Sequence, residues 1–164
     1  MLWKMICMSA ASTSKAYQAI IAGGLLAGVL DLTAALINSS LQGRRPIGVL
    51  QAIASGLLGA DSFKGGFATA VLGVVLHFII ATGATAVYYA ASRKLTFLVK
   101  QILVCGPAYG VAVYFFMNEI VLPLSAIPFK ISYTLPGLIT GLMIHMLCVG
   151  LPIAFAVRRF SQYE

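Results

Sequence analysis

Apolar residues run along most of this chain in four long stretches that polar residues rarely interrupt. A helix needs ~20 apolar residues to cross a hydrocarbon core of ~30 Å. Four stretches are long enough, and their approximate bounds are residues 17–37, 66–91, 102–122 and 136–157. The pattern therefore predicts four transmembrane helices.

A shorter apolar pattern lies in the loop between the first two stretches. Apolar side chains recur near helical spacing over residues 46–58, and Pro46 suits the first position of a helix. This segment is too short to cross a bilayer. We expect a helix there that either lies in the membrane interface or re-enters the bilayer from one side.

The composition agrees with a protein surrounded by lipid. Of the 164 residues, 60% are hydrophobic and 9% are charged, whereas about 25% are charged in soluble domains. This excludes a soluble enzyme, a disordered chain and, despite the net charge of +7, a nucleic-acid-binding module. We expect an all-α integral membrane protein with one transmembrane domain, residues 1–164. No hydrolase, metalloprotease or nucleotide-binding motif occurs in a suitable context, so no enzyme activity is expected.

The distribution of basic residues predicts the orientation in the membrane. With four spans, both termini and the second loop share one side, which carries Lys4, Lys15, Arg93, Lys94, Lys100, Arg158 and Arg159. The other side carries Arg44, Arg45, Lys64 and Lys130. By the positive-inside rule, both termini are expected in the cytoplasm. Tyr88 and Tyr89 fall where an interfacial belt of aromatic residues is expected.

Glycines four residues apart mark faces on which membrane helices can approach closely. Three of the predicted spans carry such a pair, formed by Gly24 and Gly28, Gly106 and Gly110, and Gly137 and Gly141. In lipid, helices associate through such small residues rather than by hydrophobic burial. The spacing therefore predicts a compact four-helix bundle.

Polar residues continue the same faces. Asp31 follows Gly28 by three positions, while His77 and His145 follow Gly73 and Gly141 by four. At a rise of ~1.5 Å per residue, these three and Glu119 all fall in the same half of the membrane. We expect an intramembrane polar cluster of Asp31, His77, His145, Glu119 and Asn118, facing into the bundle.

The two halves of the chain share a short pattern. The first and third spans contain GxxxG, the second and fourth contain GxxxH, and each even span ends at two basic residues. This indicates a two-hairpin internal repeat about an axis along the membrane normal. The third span, "GPAYGVAVYFFMNEIVLPL", and the fourth, "PGLITGLMIHMLCVGLPIAFAVRR", resemble the YagU-like group of small bacterial inner-membrane proteins, whose activity is not established. The resemblance implies a bacterial inner-membrane location and no catalytic residues.

Three functions fit these features. The first is transport of a proton, ion or small solute, with Asp31 and a histidine as the titratable site and a homo-oligomer completing the path. The second is a non-catalytic subunit or assembly factor of a larger membrane complex. The third is ligation of haem b or a metal ion by His77 and His145. Transport and a role as a subunit would need no cofactor or metal. Alternatively, the histidines simply tie helices together by hydrogen bonds.

Overall fold

The computed structural model describes the backbone of residues 2–130 and 134–161, and the side chains of residues 15–130 and 134–160. Within these ranges the regular secondary structure is entirely helical. The first elements are α1 (Leu2–Leu41), α2 (Pro46–Leu58), α3 (Gly66–Lys94) and the short α4 (Phe97–Lys100). A 3-10 helical segment, Gly59–Lys64, joins α2 to α3.

Two further helices each change from α-helical to π-helical geometry along their length. Helix α5 consists of Ile102–Phe116, the π-helical segment Met117–Val121 and a last turn, Leu122–Leu124. Helix α6 consists of Leu135–Ile144, the π-helical segment His145–Gly150 and Leu151–Ser161.

Four of the helices are long and apolar enough to cross a membrane. Their spanning parts are Lys15–Leu41, Gly66–Lys94, Ile102–Leu124 and Leu135–Phe160. The predicted all-α fold with four transmembrane helices is therefore confirmed, as is a short helix in the first loop.

Helix α1 is longer than its apolar stretch because helical hydrogen bonding does not depend on apolar side chains. No proline or positive-φ glycine interrupts the chain from Leu2 until Gly43, whose φ is 75°. There the helix ends in a Schellman motif, in which the Arg44 N–H donates to Ser39 O and the Gly43 N–H donates to Ser40 O.

The spanning helices form a bundle. Helix α1 packs against α3 on one side and α6 on the other, and α5 packs against α6. Helices α3 and α5 meet through tyrosines, since the Tyr109 hydroxyl donates to Ala84 O at 2.7 Å and the Tyr109 ring contacts that of Tyr88. Helix α2 packs along α3, and its Leu50 backbone touches Gly73.

The buried core lies between these helices at the end of the bundle that carries Tyr88. It contains Ala27, Tyr88, Ile102, Val149, Ile153, Ala154 and Val157. Tyr88 is 1% exposed, and its hydroxyl donates to Leu98 O at 2.9 Å. Its predicted place in an interfacial aromatic belt is therefore wrong, because α4 folds back beneath α3 and offers a backbone acceptor to the phenol.

Each π-helical segment ends two residues before a proline. Val121 precedes Pro123 in this way, and Gly150 precedes Pro152. A proline inside a helix cannot donate a backbone hydrogen bond, and its ring clashes with the carbonyl four residues earlier. Widening the preceding turn to π geometry relieves that clash without breaking the helix.

Candidate functional site

Asp31 on α1 and His77 on α3 face each other inside the bundle. The closest approach is 3.9 Å, between Asp31 Oδ2 and His77 Nε2, and the side chains are only 18% and 14% exposed. This separation is that of a charge pair rather than a hydrogen bond. The structure thus joins the first two of the polar residues that the sequence singles out.

Close packing of α1 on α3 brings the pair together. A Cβ atom on Gly24 would lie 2.6 Å from Thr82 Oγ1, and one on Gly28 would lie 2.7 Å from the Phe78 ring. At Gly24 the Cβ would also lie 2.7 Å from the Thr82 backbone, so glycine is required there, whereas at Gly28 the Phe78 ring would have to move. One helical turn further along α1, Asp31 reaches the level of His77.

The proton on His77 can be placed from its hydrogen bond. His77 Nε2 lies 2.9 Å from Gly28 O. A carbonyl oxygen only accepts, so Nε2 carries the hydrogen and donates it. The second nitrogen, Nδ1, then carries the lone pair of the neutral imidazole.

The environment of Asp31 is poor in compensating charge. A carboxylate costs ~2.5–3.5 kcal/mol at the centre of a membrane helix on insertion scales. The His77 imidazole lies 3.9 Å from the Asp31 carboxyl group, and the two form an ion pair only when His77 is protonated. The Cys148 thiol of α6 also lies close enough to interact with the Asp31 charge. The Asp31 carboxyl group therefore lies beside the His77 imidazole in a place where an isolated charge is costly.

His145 occupies a separate position on the α5 side of α6. Its Nδ1 donates to Gly141 O at 2.9 Å, and its ring meets that of Tyr114 edge to face, with centroids 5.2 Å apart. Among residues 15–130 and 134–160, no hydrogen bond or ion pair joins His145 to Asp31 or His77. The observed pairing is therefore Asp31 with His77, and His145 with Tyr114.

Each histidine lies near the second glycine of a GxxxG pair, but the contact is different in the two cases. His77 contacts Gly28, the second glycine of the GxxxG pair on α1. The backbone of His145 lies against Gly110, the second glycine of the pair on α5. The two contacts differ, since His77 uses its side chain and His145 its backbone, and the internal repeat stays a prediction.

Asn118 and Glu119 lie apart from the Asp31–His77 pair, in the π-helical segment of α5. The Asn118 side chain donates to Tyr114 O on its own helix at 2.8 Å. Glu119 is exposed, in agreement with a position near the membrane interface. No ion pair between Glu119 and a histidine is seen among the described residues.

The glycine pairs differ in how closely they contact a neighbouring helix. Gly106 and Gly110 lie directly against the backbone of α6, and Gly141 lies against the Tyr114 ring. Gly137 is exposed in the first turn of α6, where the nearest atom to a Cβ would be Oγ1 of the capping residue Thr134. Gly137 therefore lies outside the interface that its spacing predicts.

Sequence reasoning did not identify a second polar group, which joins α2 to the start of α3. The Gln51 amide donates to Gly66 O at 3.1 Å, and the Thr69 hydroxyl donates to Ser62 O at 2.6 Å. Ser62 is fully buried, and its hydroxyl oxygen has no hydrogen-bond partner. The only signal in the sequence is one glutamine within the apolar pattern of α2.

The part of the chain that the structure describes contains no cluster of metal-binding side chains. There, no group of three or more histidine, cysteine, aspartate or glutamate side chains could hold a metal ion. Comparison with protein-family models, with curated proteins and with solved structures finds no match. The resemblance to YagU-like proteins therefore stays a prediction.

Proposed function

We propose that this multi-pass membrane protein moves a proton, an ion or a small solute across the bilayer, with Asp31 and His77 as its titratable site. One observation carries the proposal, namely that a carboxylate and an imidazole face each other 3.9 Å apart on two spanning helices. Ionisable side chains on inward faces of membrane helices are typical of ion and proton pathways.

The chemistry of the pair explains how it would exchange a cation. Asp31 and His77 together carry no net charge when they hold one titratable proton, either on the carboxyl group or on His77 Nδ1. Loss of that proton leaves a net charge of −1 within the bundle. Another proton or a metal cation must then enter to balance it, because an isolated charge in this environment is costly.

The surroundings of the site support an assembly larger than one chain. Glycine contacts close the seams between α1 and α3 and between α5 and α6. Four spanning helices are few for a complete path through one copy. We therefore propose a homo-oligomer or a larger membrane complex in the bacterial inner membrane, with both termini in the cytoplasm as the basic residues indicate.

Flux through reconstituted vesicles tests the proposal. Asp31→Asn keeps the shape of the side chain and removes its charge, so we expect proton or cation flux to fall to the protein-free level while the fold is retained. Asp61→Asn is the matched control, because Asp61 forms an exposed ion pair with Lys64 outside the bundle. Equal flux in both variants would contradict the transport site and favour the alternative of a non-catalytic subunit, in which Asp31 and His77 only tie two helices together.

A further inference from the structure

A pocket opens at the end of the bundle where α1 enters the membrane and α6 leaves it. It has a volume of about 290 Å³ and is lined by Lys15, Gln18, Arg159 and Phe160. Just above it, the seam between α1 and α6 is closed by Ala19 and Val157, which are both fully buried. The pocket is therefore a recess at the end of a packed seam, not a channel into the bundle.

We propose that this recess binds the phosphate group of an anionic phospholipid. Lys15 supplies a point charge, and the Arg159 guanidinium can hold two phosphate oxygens at once. The Gln18 amide adds a neutral donor. Both cations also interact elsewhere within the protein, but the three N–H groups of a lysine and the five of an arginine can serve several acceptors together.

The position of the recess fits a lipid rather than a ligand deep within the protein. Lys15 comes just before the apolar stretch of the first span, which begins near residue 17, and Arg159 follows that of the last span, which ends near residue 157. Basic residues at the ends of apolar spans lie at the level of the lipid headgroups, so we expect the recess there. Phe160 gives it an apolar wall beside the charges. Tyr17, which precedes Gln18 in the chain, is 66% exposed and can lie among the glycerol and upper acyl groups.

The charge around the recess favours an anion. Arg158 lies beside Arg159 at the same end of the bundle. Of the four acidic residues, Asp31, Asp61 and Glu119 lie elsewhere, and Glu164 lies outside the described residues. Basic pockets between membrane helices bind anionic headgroups, and each cation near such a lipid strengthens binding about fivefold.

Thermal unfolding of the full chain in detergent tests this site, with phosphatidylglycerol, phosphatidylcholine or inorganic phosphate added in parallel. We expect phosphatidylglycerol to raise the melting temperature of the wild-type protein more than phosphatidylcholine does. The variant Lys15→Gln with Arg159→Gln should lose most of that difference, with lipid binding about 25-fold weaker. The control Lys94→Gln with Lys100→Gln removes the same charge at the same end and should keep it.

Two results would overturn the proposal: equal stabilisation by both lipids, or an equal loss in the control variant, which would indicate diffuse attraction to the bilayer. Stabilisation by inorganic phosphate that the pocket variant abolishes would support a phosphate site and assign it to free phosphate. If the double variant does not fold, Arg159→Lys serves instead, because it keeps the charge and loses the two-point contact. It should then weaken binding of phosphatidylglycerol while leaving the melting temperature in phosphatidylcholine unchanged.

Discussion

The interface between α5 and α6 leads to the most specific prediction about stability. The backbone of Gly150 lies directly against that of Gly106 and Gly110, so a Cβ atom on Gly150 would overlap backbone atoms that cannot rotate away. The Gly150→Ala substitution must therefore push the two helices apart. Insertion of one methyl group into a closely packed site typically costs about 1–3 kcal/mol.

Two other glycines serve as references for this loss of unfolding free energy. A Cβ on Gly106 would lie 3.1 Å from Leu151 Cα, which is tight but tolerable after a small shift, and a Cβ on Gly83 would meet nothing within 4 Å. The gain in helix propensity from Gly to Ala, up to about 1 kcal/mol, is similar at all three sites and cancels in the comparison. The predicted order of unfolding free energy is Gly83→Ala highest, then Gly106→Ala, then Gly150→Ala.

Equilibrium unfolding in mixed detergent micelles measures this order. We expect Gly150→Ala to be less stable than Gly83→Ala by about 1–3 kcal/mol. Equal stability of the three variants would refute the close approach of α5 and α6, and with it the physical reason for the glycine spacing.

Three further predictions concern orientation, the tyrosine contact and the cofactor. In intact cells that carry a variant without native cysteines, a membrane-impermeant thiol reagent should label Lys64→Cys but not Leu95→Cys. The reverse labelling pattern would mean that the protein has the opposite orientation in the membrane. Tyr109→Phe should lower the unfolding free energy by about 1 kcal/mol, because the bond to Ala84 O is lost, whereas Tyr17→Phe should change nothing; equal effects would refute the link between α3 and α5. The purified protein should show no Soret absorption in either redox state, and a Soret band would favour the haem alternative.

Much of the architecture follows from the sequence because bilayer thickness fixes the length of a spanning helix. The four stretches that are long enough correspond to the four spanning helices, with ends shifted by several residues. Likewise, Pro46 and the apolar spacing behind it locate α2 at Pro46–Leu58. These features are local, and hydropathy or a single proline determines each one.

Part of the candidate site was also predictable, for the same reason. Asp31 follows two packing glycines on one face of α1, and that face must meet another helix. The sequence does not determine which histidine Asp31 meets, since His77 and His145 have similar depth and similar glycine neighbours. The packing of α1 between α3 and α6 decides that choice, and it is a property of the whole bundle.

Features that depend on distant contacts were missed. Tyr88 looks like an interfacial residue until α4 supplies the Leu98 carbonyl as a buried acceptor. The π-helical segments were not predicted either, although Pro123 and Pro152 are visible in the sequence. A proline inside an apolar stretch signals a local distortion, but whether the helix kinks, ends or widens depends on its neighbours.

The central claim is that His77 takes part through its proton and not only through its hydrogen bond to Gly28. His77→Gln separates the two roles, because the glutamine amide can still donate to Gly28 O but cannot gain a proton near neutral pH. The most direct test is proton or cation flux in reconstituted vesicles, measured for His77→Gln beside His145→Gln and the wild-type protein. We expect His77→Gln to lose flux with its unfolding free energy nearly unchanged, and His145→Gln to keep flux. Full flux in His77→Gln would contradict the central claim.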